Sequence, residues 1–235
     1  MPGKPDTSQG LISAGTGEIH VWRASLNAAT PLAQEFIAIL DDEERRRSEG
    51  FIHHSDRADY IARRAILRLV ISRYTGNEPR SHRFQRGKHG KPFLCNPQNR
   101  AGIQFNLSFS GHHLLIAVTA RQPVGVDIER AQTHIDHLDI ARLYFPEEEY
   151  EYIRQQPPPQ QTAAFYRIWT MKEAYVKALG QGMSLDLKKF TVLNADRKNT
   201  CPEIREIPTE QGYYAAIALM GKITKLSFME LSQIM

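Results

Sequence analysis

Apolar residues recur at helical spacing in "DRADYIARRAILRLVISRYTG", where Tyr60, Ile61, Ala65, Leu67, Leu69 and Val70 stand between charged positions and Gly76 is available to close the last turn. A helix is predicted there. The following "RFQRGKHGKPF" carries the Gly and Pro punctuation of a loop, and "IQFNLSFS" alternates as a strand does, with Phe105, Leu107 and Phe109 on one face. Ser110, Gly111 and His112 then turn the chain into "LLIAVTA". The same order returns later: a helix "TAAFYRIWTMKEAYVKALGQG" ending near Gly180, a strand "KKFTVLN", and "GYYAAIALMG", which shares with "GHHLLIAVTA" a Gly, two rings and a later Ile-Ala pair. Two similar α+β halves are therefore expected. Residues 1–17, rich in Gly, Ser, Thr and Pro, read as a flexible tail, 18–122 as the first half and 123–235 as the second, with the boundary near Gln122 and Pro123. "QQPPPQQ" reads as a polar loop inside the second half.

Composition narrows the function classes. At 235 residues the chain can bury a core as one large domain or two small ones. The longest apolar runs, "LLIAV" and "YYAAIALM", fall far short of the roughly 20 residues a spanning helix needs, and the start has no secretory pattern. Cys95 and Cys201 lack metal-site spacing, so reduced thiols in a cytoplasmic protein are expected. Thirty Lys and Arg against 26 Asp and Glu give +4, which suits an acidic or phosphorylated partner. The basic clusters "EERRR", Arg63 with Arg64, and "RGKHGK" all lie in the first half.

The candidate chemistry lies elsewhere. In "VGVDIE" Val124, Val126 and Ile128 alternate with Gly125, Asp127 and Glu129, as in a strand with one buried face. The two carboxylates share a side roughly 7 Å apart, close enough to reach one cation between them. Alone, this is also the pattern of an exposed acidic edge beside Arg130. Glu173 and Lys177 stand four apart on the later helix, a spacing that serves equally as a surface ion pair. Three carboxylates with no clustered His or Cys suit Mg²⁺, which takes one or two carboxylates and completes its shell with water and phosphate oxygens. Phosphate chemistry follows, with Lys177 placed to stabilise a leaving oxygen.

Four segments in order, "GKPF", "FNLSFSG", "GVDIE" and "WTMKEAYVKALGQGMSL", resemble the signature segments of the surfactin-type 4'-phosphopantetheinyl transferases; the match runs from about Asp42 to Phe190 and includes "FPEEEY". The resemblance implies a pseudo-twofold pair of α+β halves with coenzyme A in the cleft between them. It implies transfer of the phosphopantetheine arm to a serine of an apo acyl or peptidyl carrier protein, with release of 3',5'-ADP and a requirement for Mg²⁺. Asp127, Glu129 and Glu173 take the places of the metal carboxylates, and Lys177 that of the lysine beside the departing phosphate. Glu173 or a metal-bound water serves as the base. Lys91 stands at the place of a coenzyme-binding lysine, with Arg86, Lys88, Gly90 and Pro92 in the same loop. Arg47, Arg64 and Ser108 complete the implied coenzyme contacts, Arg64 with a helix-stabilising role as its alternative. A monomer is implied, because both halves of the cleft lie in one chain.

One position departs from the pattern. Phe109 stands where the family has a phosphate-binding His, removing a charge-assisted hydrogen bond worth roughly 1.5–3 kcal/mol. Weaker coenzyme affinity, or compensation by His89 or Arg86, is expected; His112 and His113 read as turn and strand residues. Two other classes compete. A metal-dependent nuclease also needs carboxylates, a lysine and basic contacts, but is expected to place the Glu and Lys two apart on a strand. A non-catalytic module holding coenzyme A or a carrier draws support from Phe109 alone.

Overall fold

In the computed structural model, which describes residues 11–26, 33–95, 99–132, 134–193 and 202–231, one order of elements occurs twice. The first half contains strand β1 (Glu18–Ser25), helices α1 (Ala33–Ile39), α2 (Asp42–Glu49) and α3 (His54–Thr75), a small hairpin of β2 (Phe84–Arg86) and β3 (Pro92–Leu94), and strands β4 (Ile103–Ser110) and β5 (His113–Ala120). The second contains β6 (Val124–Arg130), α4 (His137–Tyr144), α5 (Glu147–Arg154), α6 (Pro158–Leu179), β7 (Glu203–Ile207) and β8 (Tyr213–Leu219). In each half the first strand pairs antiparallel with the last, and the last with the one before it, giving β1-β5-β4 and β6-β8-β7. A final strand, β9 (Lys225–Glu230), runs parallel to β1, so the end of the second half returns to the first sheet.

The duplication runs deeper than the expected helix-strand-strand. Helices α3 and α6 are each 22 residues long, and each stops on a left-handed glycine, Gly76 at φ 70° and Gly180 at φ 68°, whose N–H closes the last turn. Eight positions before each glycine (68 to 76, 172 to 180) sits a fully buried cation, Arg68 or Lys172. Each cation meets a glutamate from the preceding short helix, Glu44 of α2 or Glu149 of α5. The repeated unit is therefore a strand, three helices and two strands.

Three layers of apolar packing hold it. Leu67, Val70 and Ile71 of α3 pack with Phe105, Ile116 and Val118 of the first sheet, while Phe165, Ile168 and Ala174 of α6 pack with Ile204, Ala216 and Ala218 of the second. Between the sheets, Ile19, Val21, Leu115 and Ala117 meet Val124, Val126, Ile128, Ile217 and Leu219. Both faces of β6 are thus covered, by the first sheet and by α6, so the expected one-sided strand with an acidic outer edge is not what forms. Asp127 is 2% exposed. The expected single apolar face of β4 is corrected too: Phe105 is buried, Leu107 half-buried, and Phe109 48% exposed at the mouth of a cleft.

Two further expectations change. "QQPPPQQ" is mostly helix, because α6 begins at Pro158. Proline suits a first turn, where a backbone N–H has no partner inside the helix. "KKFTVLN" is not a strand in its described residues: Leu187–Lys189 form a 3-10 turn, and the segment on to Leu193 has no sheet partner, while Asn194 lies outside the described residues. Its backbone groups are taken by side chains instead. Lys172 Nζ donates to the carbonyls of Leu187 and Phe190, and the Val192 N–H donates to Glu149. The strand beside β8 is Glu203–Ile207. Of the expected tail, residues 1–10 lie outside the described residues; Ile12 donates its N–H to the Arg73 carbonyl and packs on the first core, and the Gly17 N–H donates to Gln122 Oε1. Cys95 is free, and Cys201 lies outside the described residues.

Gly125 sets how closely α6 lies on β6. A Cβ there would stand 2.0 Å from the Ala174 carbonyl oxygen and 2.4 Å from the Ala178 nitrogen, both backbone atoms that cannot swing away. Gly125→Ala is expected to push the helix outward and destabilise the fold by at least ~2–3 kcal/mol, read as a lowered midpoint in urea unfolding.

Candidate active site

The face of the first sheet that packs on the second carries β4 against β6, and the two strands are joined by side chains. The Asn106 side-chain oxygen accepts from the Val126 N–H at 2.9 Å, Ser108 Oγ from Ile128 at 3.4 Å, and Ser110 Oγ from Arg130 at 3.0 Å. These three residues alternate along β4, so one face supplies every acceptor. That is the structural content of "FNLSFS". Both serine hydroxyls then donate to the carboxylates of the facing strand, Ser108 to Asp127 at 2.8 Å and Ser110 to Glu129 at 2.9 Å.

Helix α6 brings the other half of the site. Lys177 Nζ donates to Asp127 Oδ1 at 2.6 Å and to Ser108 Oγ at 3.0 Å. The lysine therefore pairs across to the sheet, and no ion pair joins it to Glu173 one turn earlier within 4 Å, as a simple surface helix pair would require. Burial and the nearby Asp127 charge push Glu173 above the usual glutamate range, with Lys177 pulling the other way. Burial and Asp127 raise Glu129 likewise, opposed by the Ser110 hydrogen bond and Lys177. Asp127 Oδ2 is buried without a hydrogen-bond partner. Three carboxylates thus share one lysine.

Whether this set suits a divalent cation can be judged from those facts. As they stand, no three His, Cys, Asp or Glu side chains among the described residues gather round one point; Lys177 occupies Asp127 Oδ1, and Ser110 donates to Glu129. Yet an orphaned carboxylate oxygen, two carboxyls raised by crowding, and an all-oxygen donor set fit a hard cation such as Mg²⁺.

These groups open onto a cleft of about 1490 Å³ between the halves. Arg47, Arg64, Arg86, Gly90, Lys91, Pro92 and Ser108 all line it, with Asp127, Glu129, Glu173 and Lys177; Lys88 is not part of the wall, whereas its neighbour His89 is. Besides Lys177, two of the cations are already committed. Arg64 donates Nε to Glu44 at 2.5 Å. Lys91 Nζ donates to the carbonyls of Val124 at 2.8 Å and Lys177 at 2.7 Å, with that of Ala178 at 3.5 Å, so it caps the C-terminal end of α6 from across the cleft. Burial lowers its pKa to about 8.

Against known proteins, residues 25–121 match the family model "4'-phosphopantetheinyl transferase, N-terminal", and residues 123–218 match "4'-phosphopantetheinyl transferase superfamily". The chain is 35% identical over 210 residues to 4'-phosphopantetheinyl transferase HetI of Nostoc sp., covering 87% of this chain and 88% of the relative. The chain belongs to the 4'-phosphopantetheinyl transferases. The transferase is also 34% identical over 166 residues to Sfp of Bacillus subtilis (69% of this chain, 71% of the relative) and 30% identical over 210 residues to gsp of Aneurinibacillus migulanus (83% and 84%). It is an α+β enzyme of the family that transfers phosphopantetheine from coenzyme A to carrier proteins. No helix among its described residues is long and apolar enough to cross a membrane.

Sequence reasoning missed several residues of this transferase's site. Asn106 was visible only as the first member of an every-second-residue polar series. Arg63 lies on the cleft wall with its guanidinium 3.6 Å from the Phe109 ring centroid, and was noted only as a basic cluster with Arg64. Ile140, Tyr144 and Trp169 add an apolar side to the cleft that no local pattern marks.

Proposed function

We propose that the protein transfers the 4'-phosphopantetheine arm of coenzyme A to a serine hydroxyl of an apo acyl or peptidyl carrier protein, releasing 3',5'-ADP, and depends on Mg²⁺. The observation that carries this is the orphaned Asp127 Oδ2 among three carboxylates and a lysine, at the wall of a cleft lined with cations. Asp127, Glu129 and Glu173 would hold the ion, which when bound would supply charge neutralisation at the pyrophosphate. Glu173, raised above ordinary glutamate by burial, takes the proton of the carrier serine as its oxygen bonds to the phosphorus on the pantetheine side. The bond from that phosphorus to the bridging oxygen breaks, and Lys177 stabilises the charge left on the departing 3',5'-ADP. Arg47, Arg64, Arg86, Gly90, Lys91, Pro92 and Ser108, all on the cleft wall, form the coenzyme site, and Lys88, off the wall, is left out of it. In this reading the halves divide at Gln122–Pro123 and act as a monomer in the cytoplasm, with no nucleic-acid partner.

The carrier docks beside the second half of the cleft, where Leu143, Tyr144 and Tyr152 of α4 and α5 are 61%, 49% and 45% exposed next to the wall residue Ile140. Leu143→Arg is expected to raise KM for the carrier about 10-fold while leaving KM for coenzyme A unchanged. An unchanged carrier KM would remove this face from the model of docking.

Intact-mass spectrometry of apo acyl and peptidyl carrier proteins, incubated with the protein, coenzyme A and Mg²⁺, tests the function. A gain of one phosphopantetheine that chelator abolishes is expected. No gain while coenzyme A binds leaves a binding module; cleavage of phosphodiesters without coenzyme A indicates a nuclease.

A further inference from the structure

Cations on the cleft wall differ in how far they are already engaged. Arg64 is paired with Glu44, Lys91 with three carbonyls and Lys177 with Asp127. Arg47, Arg63 and Arg86 have no ion pair within 4 Å among the described residues, although Asp59 and Asp56 favour the charge of Arg63 from farther away. Of these three, Arg63 makes the closest contact with an aromatic ring. Its guanidinium lies 3.6 Å from the centroid of the Phe109 ring, whereas Arg47 stands 5.8 Å from that of Tyr60. A guanidinium laid on a ring keeps its edge N–H donors free, in a geometry that matches two phosphate oxygens. Burial acts against the charge of Arg63, so an incoming anion meets a cation without a close counter-ion.

The place of the pair says which anion. Ser108 points to Asp127 and Lys177, where the pyrophosphate reacts in the function proposed above; Phe109, the next residue of β4, alternates to the α3 side. The phosphate reaching Arg63 is then one outside the reacting pyrophosphate. Coenzyme A has one such group, the doubly charged phosphate monoester on its ribose.

We propose that Arg63, packed against the Phe109 ring, binds the ribose phosphate monoester and makes this chain select coenzyme A over 3'-dephospho-coenzyme A. Phe109 is a positioning residue: it serves through Arg63 where the family resemblance has an imidazole bonding directly. The proposal rests on the transferase reading, and the experiment separates the two. Transfer kinetics and titration calorimetry are measured with both coenzymes for the wild type, Arg63→Ala, Phe109→Leu and the double variant Arg63→Ala with Phe109→His. Arg63→Ala is expected to lower affinity and kcat/KM for coenzyme A about 10- to 100-fold while leaving the dephospho form nearly unaffected. Phe109→Leu is expected to show part of that loss, and the double variant to regain preference for coenzyme A through the restored imidazole. Equal effects of Arg63→Ala on both coenzymes, or a wild type that does not distinguish them, overturns the proposal. If no carrier is modified by any protein, the transferase reading fails, and calorimetry alone still decides the role of Arg63.

Discussion

Asp127→Asn is expected to reduce phosphopantetheine transfer by at least about 10²–10³-fold, the scale seen when one electrostatic partner of a reacting phosphate or oxyanion is removed. The aspartate does three jobs at once: it anchors Lys177, accepts from Ser108, and presents the orphaned oxygen. In the proposed function Mg²⁺ raises the Tm of the wild type, and Asp127→Asn is expected to remove that rise, a readout independent of turnover. Glu173→Gln separates chemistry from stability. Glu173 and Glu129 are raised above their unfolded values, so the folded protein binds more protons than the unfolded chain in the window above the ordinary glutamate value of 4.5. Their contribution to stability is full below that value and is lost as pH rises through the raised ones. Glu173→Gln should therefore be inactive with Mg²⁺ present, yet without metal melt about 2–4 °C higher than the wild type at neutral pH, as ~1 kcal/mol does in a chain of this size. With Mg²⁺ the order of melting temperatures should reverse. A Glu173→Gln protein that melts lower than the wild type at neutral pH without metal, or that transfers normally, would remove Glu173 from this role.

Arg68→Ala is expected to destabilise the protein by about 3–5 kcal/mol, because removing one partner leaves the others buried and unpaired. Arg68 is fully buried, and its guanidinium donates to Glu44 at 2.6 Å, Asp41 at 2.5 Å, and the carbonyls of Pro79 and His82 at 2.9 and 3.1 Å. Asp41 also caps α2 through the Glu44 N–H, and Glu44 returns a bond to the Asp41 N–H. Loss of Arg68 therefore loosens α2, on which Arg47 faces the cleft. Urea unfolding measures the first effect and coenzyme affinity the second. Replacing the cation while neutralising its partners, as Arg68→Met with Asp41→Asn and Glu44→Gln, keeps acceptors for the capping bonds and should recover part of the lost stability; failure to do so would show that the pairing itself stabilises the fold.

The elements that were legible in the sequence share a strong local signal. Helices α3 and α6 show apolar spacing ended by glycine, β4 and β6 alternate with period two, and β5 and β8 are short continuous apolar runs that begin just after Gly111 and Gly212. The duplicated order was legible for the same reason. "KKFTVLN" misled because it alternates like a strand while its backbone is held by Lys172 and Glu149, a buried pair that is local in neither sequence nor period. The site residues Asp127, Glu129, Glu173 and Lys177 were readable as motifs, but each was equally compatible with a solvated surface when taken alone.

What the sequence determined by itself is the family, the two α+β halves and the identity of the charged groups, because residue type, order and local period are properties of the chain. Only the tertiary structure decided how those charges are spent. It turned Lys177 to Asp127, tied Lys91 to the end of α6, set Arg64 on Glu44, and laid Arg63 on Phe109. The partners in each pair are separated along the chain, from 20 residues for Arg64 and Glu44 to 86 for Lys91 and Lys177. No local pattern encodes such a distance; it is set by the close approach of α6 to β6 at Gly125 and by the side-chain seam between β4 and β6.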